Sequence, residues 1–166
     1  MSKALKIITI KNQKEEQILR QKSSWITPEL LESREFQQFL EDLLYTAKHS
    51  EDQGNVPAGG IAAIQVGKPY RVFYSLNYDN NEWELFVNPS IEPEGFIKTK
   101  GEEGCLSVPD VTGTVSRYYK IKVRYQDKKG IWITKRYHDI NATSIQHEYD
   151  HLEGILFIDR MEKQLR

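Results

Sequence analysis

A chain of 166 residues with 39 % hydrophobic and 11 % aromatic content can bury one core and has no room for a second, so a single domain over residues 1–166 is expected. Its 23 basic and 24 acidic residues nearly cancel, which argues against a broad nucleic-acid-binding field or a membrane-seeking basic face. The single cysteine, Cys105, excludes an internal disulfide framework and leaves three roles open: buried hydrophobe, reactive thiol or metal ligand.

The first 24 residues mix lysines with Glu15 and Glu16 around the short apolar run Ile7 to Ile10. That run is too short for a signal-peptide core or a membrane span, and a cytoplasmic protein is expected. From Pro28 to about Ala47, Leu31, Phe36, Phe39, Leu40, Leu43 and Leu44 recur at helical spacing behind a capping Thr27, predicting an N-terminal amphipathic helix. A polar loop over His49 to Pro57 then delivers the chain into the small-residue run Ala58-Gly59-Gly60-Ile61-Ala62-Ala63.

Short β-branched and aromatic segments follow at Arg71 to Leu76, Glu84 to Val87, Ile121 to Tyr125 and Ile131 to Thr134. Turn chemistry at Asp79-Asn80-Asn81 and Asp127-Lys128-Lys129-Gly130 predicts that several are hairpin strands. Helical character returns from Asn141 to about Leu152, with Gly154 where a helix would stop. The expected class is α+β: short antiparallel strands packed around a central helix, with the amphipathic helix near the N-terminus.

That second helix carries His147-Glu148-Tyr149-Asp150-His151, an H-E-x-x-H pattern. Imidazoles four residues apart share one helix face and can hold a metal, while the glutamate between them projects alongside as a base. A catalytic site of this kind needs a third protein ligand and an open position for water. Phe157 stands where the metzincin pattern requires its third histidine, which disfavours that family. Cys105 follows a turn-forming glycine and precedes a short extended piece, and a metal would keep its thiol deprotonated. The glycine run has no Gly-Lys-Ser/Thr ending, so nucleotide binding is not expected. His49 and His138 have no ligand spacing to other residues and are assigned no role.

Three segments, Gly60-Ile61-Ala62-Ala63-Ile64-Gln65, Glu103-Gly104-Cys105-Leu106-Ser107 and His147-Glu148-Tyr149-Asp150-His151, resemble the three motifs of peptide deformylase, in the family's order. Asn88-Pro89, Arg117 and the stretch from Gln146 to Arg160 extend the resemblance over roughly Leu30 to Arg160. The resemblance implies a metal-dependent amidase that takes the N-formyl group from formylmethionyl peptides and releases formate. It implies Cys105, His147 and His151 as metal ligands and Glu148 as general base. The Gln65 amide and the Leu106 backbone N–H would be the oxyanion donors, and Gly59, Gly60, Ile61 and Ser144 would meet the substrate.

Iron(II) is the physiological metal the resemblance implies, although one thiolate and two imidazoles also suit zinc, nickel or cobalt. Formylated nascent peptides, and a transient contact with the ribosome, are the partners it implies; no membrane partner and no nucleic-acid motif is expected. Ala58 and Ile64 depart from the family's usual residues in the first motif, and Thr143 and Ser144 put polar groups where the pocket for the first side chain is commonly apolar. Glu103 and Arg117 are expected to pair beside Cys105, and Asp150 to orient a ligand or pack the helix.

Overall fold

The computed structural model describes residues 1–162. Its helices are α1 (Gln13–Leu19), α2 (Pro28–Glu32), α3 (Arg34–Lys48) and α4 (Asp139–Leu152); its strands are β1 (Gly60–Ala62), β2 (Val72–Asn77), β3 (Glu82–Pro93), β4 (Lys98–Cys105), β5 (Val108–Tyr118), β6 (Lys120–Gln126) and β7 (Trp132–His138). This is an α+β fold with two sheets: a five-stranded antiparallel sheet in the order β1-β2-β3-β6-β7 and a separate β4-β5 hairpin. Among the described residues, no helix is long and apolar enough to cross a membrane.

Period-2 alternation along β2 assigns the two faces of the large sheet. Val72 and Tyr74 join Phe36, Leu40 and Leu43 of α3 in one core, and the Tyr74 hydroxyl donates to the Leu40 carbonyl at 3.0 Å. Phe73 points the other way and joins Phe86, Tyr125, and Ala142, Ile145 and Leu152 of α4. The sheet is therefore held between α3 and α4. Helix α4 also touches β5, so it links the large sheet to the hairpin that carries Cys105.

The amphipathic segment after Thr27 is two helices rather than one. Thr27 Oγ1 caps α2 by accepting from the Leu30 N–H at 3.2 Å, with Pro28 in the first turn as expected. Ser33 then turns extended, with φ −67° and ψ 143°, and its Oγ accepts from the Phe36 N–H at 3.1 Å, opening α3. A serine that can cap a new helix competes with continuation of the old one. Helix α4 ends at Leu152 as predicted, and Gly154, at φ +74°, takes the chain away from it. A β-carbon there would lie 2.3 Å from the Arg20 carbonyl oxygen, so Gly154 also permits the close approach of the end of α1.

Candidate metal centre

Helical periodicity divides the work of α4. Ala142, Ile145 and Leu152 anchor it in the core, and the same turns carry His147 and His151 towards the β4-β5 hairpin. The two imidazole rings lie with centroids 5.2 Å apart. Across from them β4 ends at Cys105, just after a register shift between Glu103 and Cys105, and Leu106 and Ser107 make the turn into β5. That irregularity aims the sulfur out of the hairpin.

The Cys105 Sγ lies 3.4 Å from His151 Nε2, and one ligand atom each from Cys105, His147 and His151 falls within 4.8 Å of the others. Metal–sulfur and metal–nitrogen bonds of ~2.3 Å and ~2.0 Å at a tetrahedral angle place S and N about 3.5 Å apart. The observed spacing fits a single divalent ion. The triad is not confined to the helix: two ligands come from α4 and the third from the hairpin.

The neighbours of His147 decide which nitrogen is available. Its Nδ1 lies 2.9 Å from Glu103 Oε1, leaving Nε2 to face the centre. Glu103 is itself gripped by Arg117, whose Nε donates to Oε2 at 2.7 Å and whose NH2 group donates to Oε1 at 2.9 Å. The Arg117 NH1 group donates to Asp150 Oδ2 at 2.9 Å, and Arg160 closes on the same carboxylate from outside at 2.7 and 3.1 Å. A chain of alternating charge thus runs from His147 through the buried Glu103, Arg117 and Asp150 to Arg160 at the surface. The expected Glu103–Arg117 pair is its centre, and Asp150 steadies α4 through the two arginines rather than facing the metal site.

Burial alone would raise the Glu103 pKa, but hydrogen bonds from His147 and Arg117 outweigh it and hold the carboxyl at about 2. Burial would lower the His147 pKa, yet the Cys105 sulfur and the Glu103 carboxylate raise it well above the ordinary imidazole value. That is a demand for positive charge which a cation satisfies. Burial, then the positive charge of His147, lowers the His151 pKa well below the usual value and keeps that ring neutral, the form that ligates.

Glu148 is almost entirely buried, with Oε2 4.0 Å from His147 Nε2, and its Oε1 has no hydrogen-bond partner among the described residues. Burial is the main cause that lifts its pKa to about 7; Glu103 and Asp150 add to the rise, while His147 and Arg117 oppose it. A carboxylate poised near neutrality beside a metal triad is suited to take and return a proton.

Gln65 lies in a single 3-10 turn, Ala63–Val66, immediately after β1. Its Oε1 accepts from the Ala62 N–H at 2.9 Å, which fixes the orientation of the amide. The Nε2 group then points at the centre, 3.2 Å from Ser107 Oγ and 3.6 Å from Cys105 Sγ.

These groups open on a cleft of about 500 Å³. Gly59, Gly60, Gln65, Leu106, Ser144, Cys105, His147 and Glu148 all line it; His151 lies beneath, and Ile61 is not on its wall. The Ile61 side chain is 0 % exposed and belongs to the α3 core, so Ile61 can meet a substrate only through its backbone. Neither His49 nor His138 reaches the cleft; His49 instead stacks on Tyr45 with ring centroids 3.9 Å apart. Residue types and spacing missed Tyr78, which lines the cleft from the turn after β2, and nothing in its flanking sequence signals that position.

The family model described as polypeptide deformylase matches residues 4–166. The chain belongs to the polypeptide deformylase family. It is 36 % identical over 155 residues to peptide deformylase 2 of Nostoc sp., an alignment covering 89 % of this chain and 82 % of that one. The crystal structure of peptide deformylase from Thermotoga maritima superposes with a TM-score of 0.83 at 28 % identity, covering 97 % of this chain and 99 % of that one. The class I type b peptide deformylase from Acinetobacter baumannii, solved with Met-Ala-Ser bound, gives a TM-score of 0.83 at 30 % identity over 97 % and 100 % of the two chains. Family membership and the triad together make this chain a metal-dependent hydrolase of the deformylase type, which removes N-formyl groups.

Proposed function

We propose that the chain deformylates the formylmethionyl ends of newly made peptides, using iron(II) held by Cys105, His147 and His151 and with Glu148 as the proton carrier. The observation that carries this is the placement of Glu148, a buried carboxylate whose Oε2 lies 4.0 Å from His147 Nε2, beside the metal triad. The Met-Ala-Ser complex of the Acinetobacter relative supports the substrate class, because that tripeptide has the sequence a deformylated N-terminus would have.

A divalent ion held by Cys105, His147 and His151 would supply Lewis acidity, lowering the pKa of a water there. Glu148 takes the proton of the attacking water as its oxygen adds to the formyl carbon. Negative charge then develops on the formyl oxygen, and the Gln65 Nε2 group and the Leu106 backbone N–H are the donors that stabilise it. The long contact from Gln65 to the Cys105 sulfur, at 3.6 Å, is the one that gives way to a substrate oxygen. As the C–N bond breaks, Glu148 passes its proton to the departing nitrogen, leaving formate and a free amine.

Gly59 and Gly60, at the start of the edge strand β1, let the peptide backbone come close. Ser144 stands at the same end of the cleft, with its Oγ 3.5 Å from the Gly59 carbonyl oxygen. The same proposal has the protein meet its substrate in the cytoplasm as the peptide leaves the ribosome, through a transient contact. Zinc, nickel and cobalt suit the ligand set as well, so the proposal of iron(II) is tested by metal content and by activity of each reconstituted form.

The test of substrate class is formate release from formyl-Met-Ala-Ser beside its acetylated and unformylated counterparts. Turnover confined to the formylated peptide is expected. Cleavage of internal peptide bonds would instead make the protein an ordinary metallopeptidase.

A further inference from the structure

Tyr78 walls one side of the cleft and takes no part in the chemistry described above. It follows the last residue of β2, and its backbone N–H donates to Asn141 Oδ1 at 2.8 Å. Asn141, buried in the first turn of α4, also donates from Nδ2 to Asn77 Oδ1 at 3.2 Å and Asp79 Oδ2 at 3.1 Å. The turn holding Tyr78 is thereby tied to the helix that carries His147 and Glu148.

From that anchor the tyrosine reaches across Gly59. A β-carbon at position 59 would lie 2.3 Å from the Tyr78 hydroxyl oxygen, and one at position 60 would lie 2.5 Å from Glu148 Oε2. Two successive glycines therefore make room for two different polar groups, the base and this hydroxyl. Other hydroxyls at that end of the cleft are already engaged: Ser144 Oγ shares a hydrogen bond with Ser75 Oγ at 2.9 Å, and Thr143 Oγ1 donates to the Asp139 carbonyl at 3.2 Å. The Tyr78 hydroxyl has no hydrogen-bond partner among the described residues. Burial, and then the negative charge of Glu148, raises its pKa, so it stays protonated and offers a donor.

The reacting carbon must lie between the metal triad and Gln65, whereas Gly59, Ser144 and Tyr78 form the adjoining end of the cleft. A substituent next to the scissile amide falls there. We propose that Tyr78 is a specificity-determining residue that contacts the first side chain of the substrate and, through its free hydroxyl, favours side chains carrying a hydrogen-bonding group. This rests on the deformylase reading of the same cleft and deepens it. Tyr78 is 44 % exposed, so its hydroxyl is open to the cleft, and a polar side chain that replaces its water can bond to it where an apolar one cannot.

The test compares kcat/KM for formyl-Gln-Ala-Ser and formyl-norleucyl-Ala-Ser with the metal-loaded full chain and its Tyr78→Phe and Gly59→Ala variants. The first variant removes only the hydroxyl; in the second, the new β-carbon displaces it. Loss of one hydrogen bond is expected to lower the glutamine-to-norleucine ratio by about two- to tenfold in Tyr78→Phe, with a fall in the same direction in Gly59→Ala. An unchanged ratio in Tyr78→Phe overturns the proposal. Absence of formate release from either peptide by the wild type would overturn the proposed function instead. Calorimetric dissociation constants for the unformylated Gln and norleucine peptides then judge Tyr78 alone, and again a ratio unmoved by Tyr78→Phe overturns its assignment.

Discussion

Gly60 and Glu148 are packed so closely that a single β-carbon on the glycine would come within 2.5 Å of the Glu148 Oε2 atom and 2.8 Å of its Cγ. The strand edge and the proposed base therefore share one space, and the backbone of β1 sets where the carboxylate rests. Gly60→Ala is expected to push Glu148 off its position, cutting kcat while the metal stays bound. Overpacking of this kind typically costs ~1–3 kcal/mol of stability. Formate release and metal content measured on the same preparation check this, and activity within twofold of wild type would contradict it.

Gln65 is held by the Ala62 N–H and aimed by that bond. Gln65→Ala is expected to lose about 2.7–4 kcal/mol of transition-state stabilisation, a fall in kcat on the order of a hundred- to a thousandfold, by comparison with other single oxyanion donors. Steady-state kinetics separate this from a binding defect, which would appear in KM instead.

Among the described residues, Arg117 is the only cation that touches both Glu103 and Asp150, and all three side chains are less than 10 % exposed. Arg117→Leu leaves two buried carboxylates short of a partner and is expected to destabilise the fold by about 3–5 kcal/mol, measured by urea unfolding. The pH dependence has a definite sign. The Glu103 pKa in the fold, about 2, is below its ordinary 4.5, so its stabilising contribution is fully present above pH 4.5 and is lost as pH falls towards 2. Unfolding titrations of wild type should show that loss, and the Arg117→Leu protein should show less of it.

Glu148 predicts the acid limb of the activity profile. Only its deprotonated form accepts a proton, so kcat/KM should fall as pH drops through the Glu148 pKa, which burial lifts to about 7 when no cation is bound. A cation in the triad opposes the shift, which puts the limb of the metal-loaded enzyme below pH 7. A limb above 7 in the loaded enzyme would contradict the assignment.

Removing the metal should cost stability as well as activity, because an ion that binds only the folded state stabilises by about 2.7 kcal/mol at a hundred times its Kd. A chelator is expected to lower Tm, and resupply of a divalent ion to restore it. No change in Tm on chelation would mean that the triad holds no ion.

The helix bearing His147 and His151 was legible in the sequence because apolar anchors and ligands repeat with one period on one short element. Cys105 was legible as the third ligand through its motif, and Gln65 likewise, whereas the hydrogen bonds that aim the Gln65 amide appear only in three dimensions. The β4-β5 hairpin escaped composition and periodicity. Of the residues in β4, Glu103 alone is buried, and Gly101 and Gly104 interrupt it, so there is no apolar alternation to read. Ser33 split the predicted helix because local capping outweighed a helical pattern that runs through it. Tyr78 was invisible for another reason: its place above Gly59 is set by Asn141, some sixty residues along the chain.

The most direct test is formate release from formyl-Met-Ala-Ser by the protein prepared anaerobically with iron(II), for wild type and Glu148→Ala, with metal counted on the same samples. One equivalent of metal in both proteins, with turnover in the wild type and none in the variant, is the expected result. Undiminished turnover by Glu148→Ala, or a fully loaded wild type that releases no formate, would contradict it.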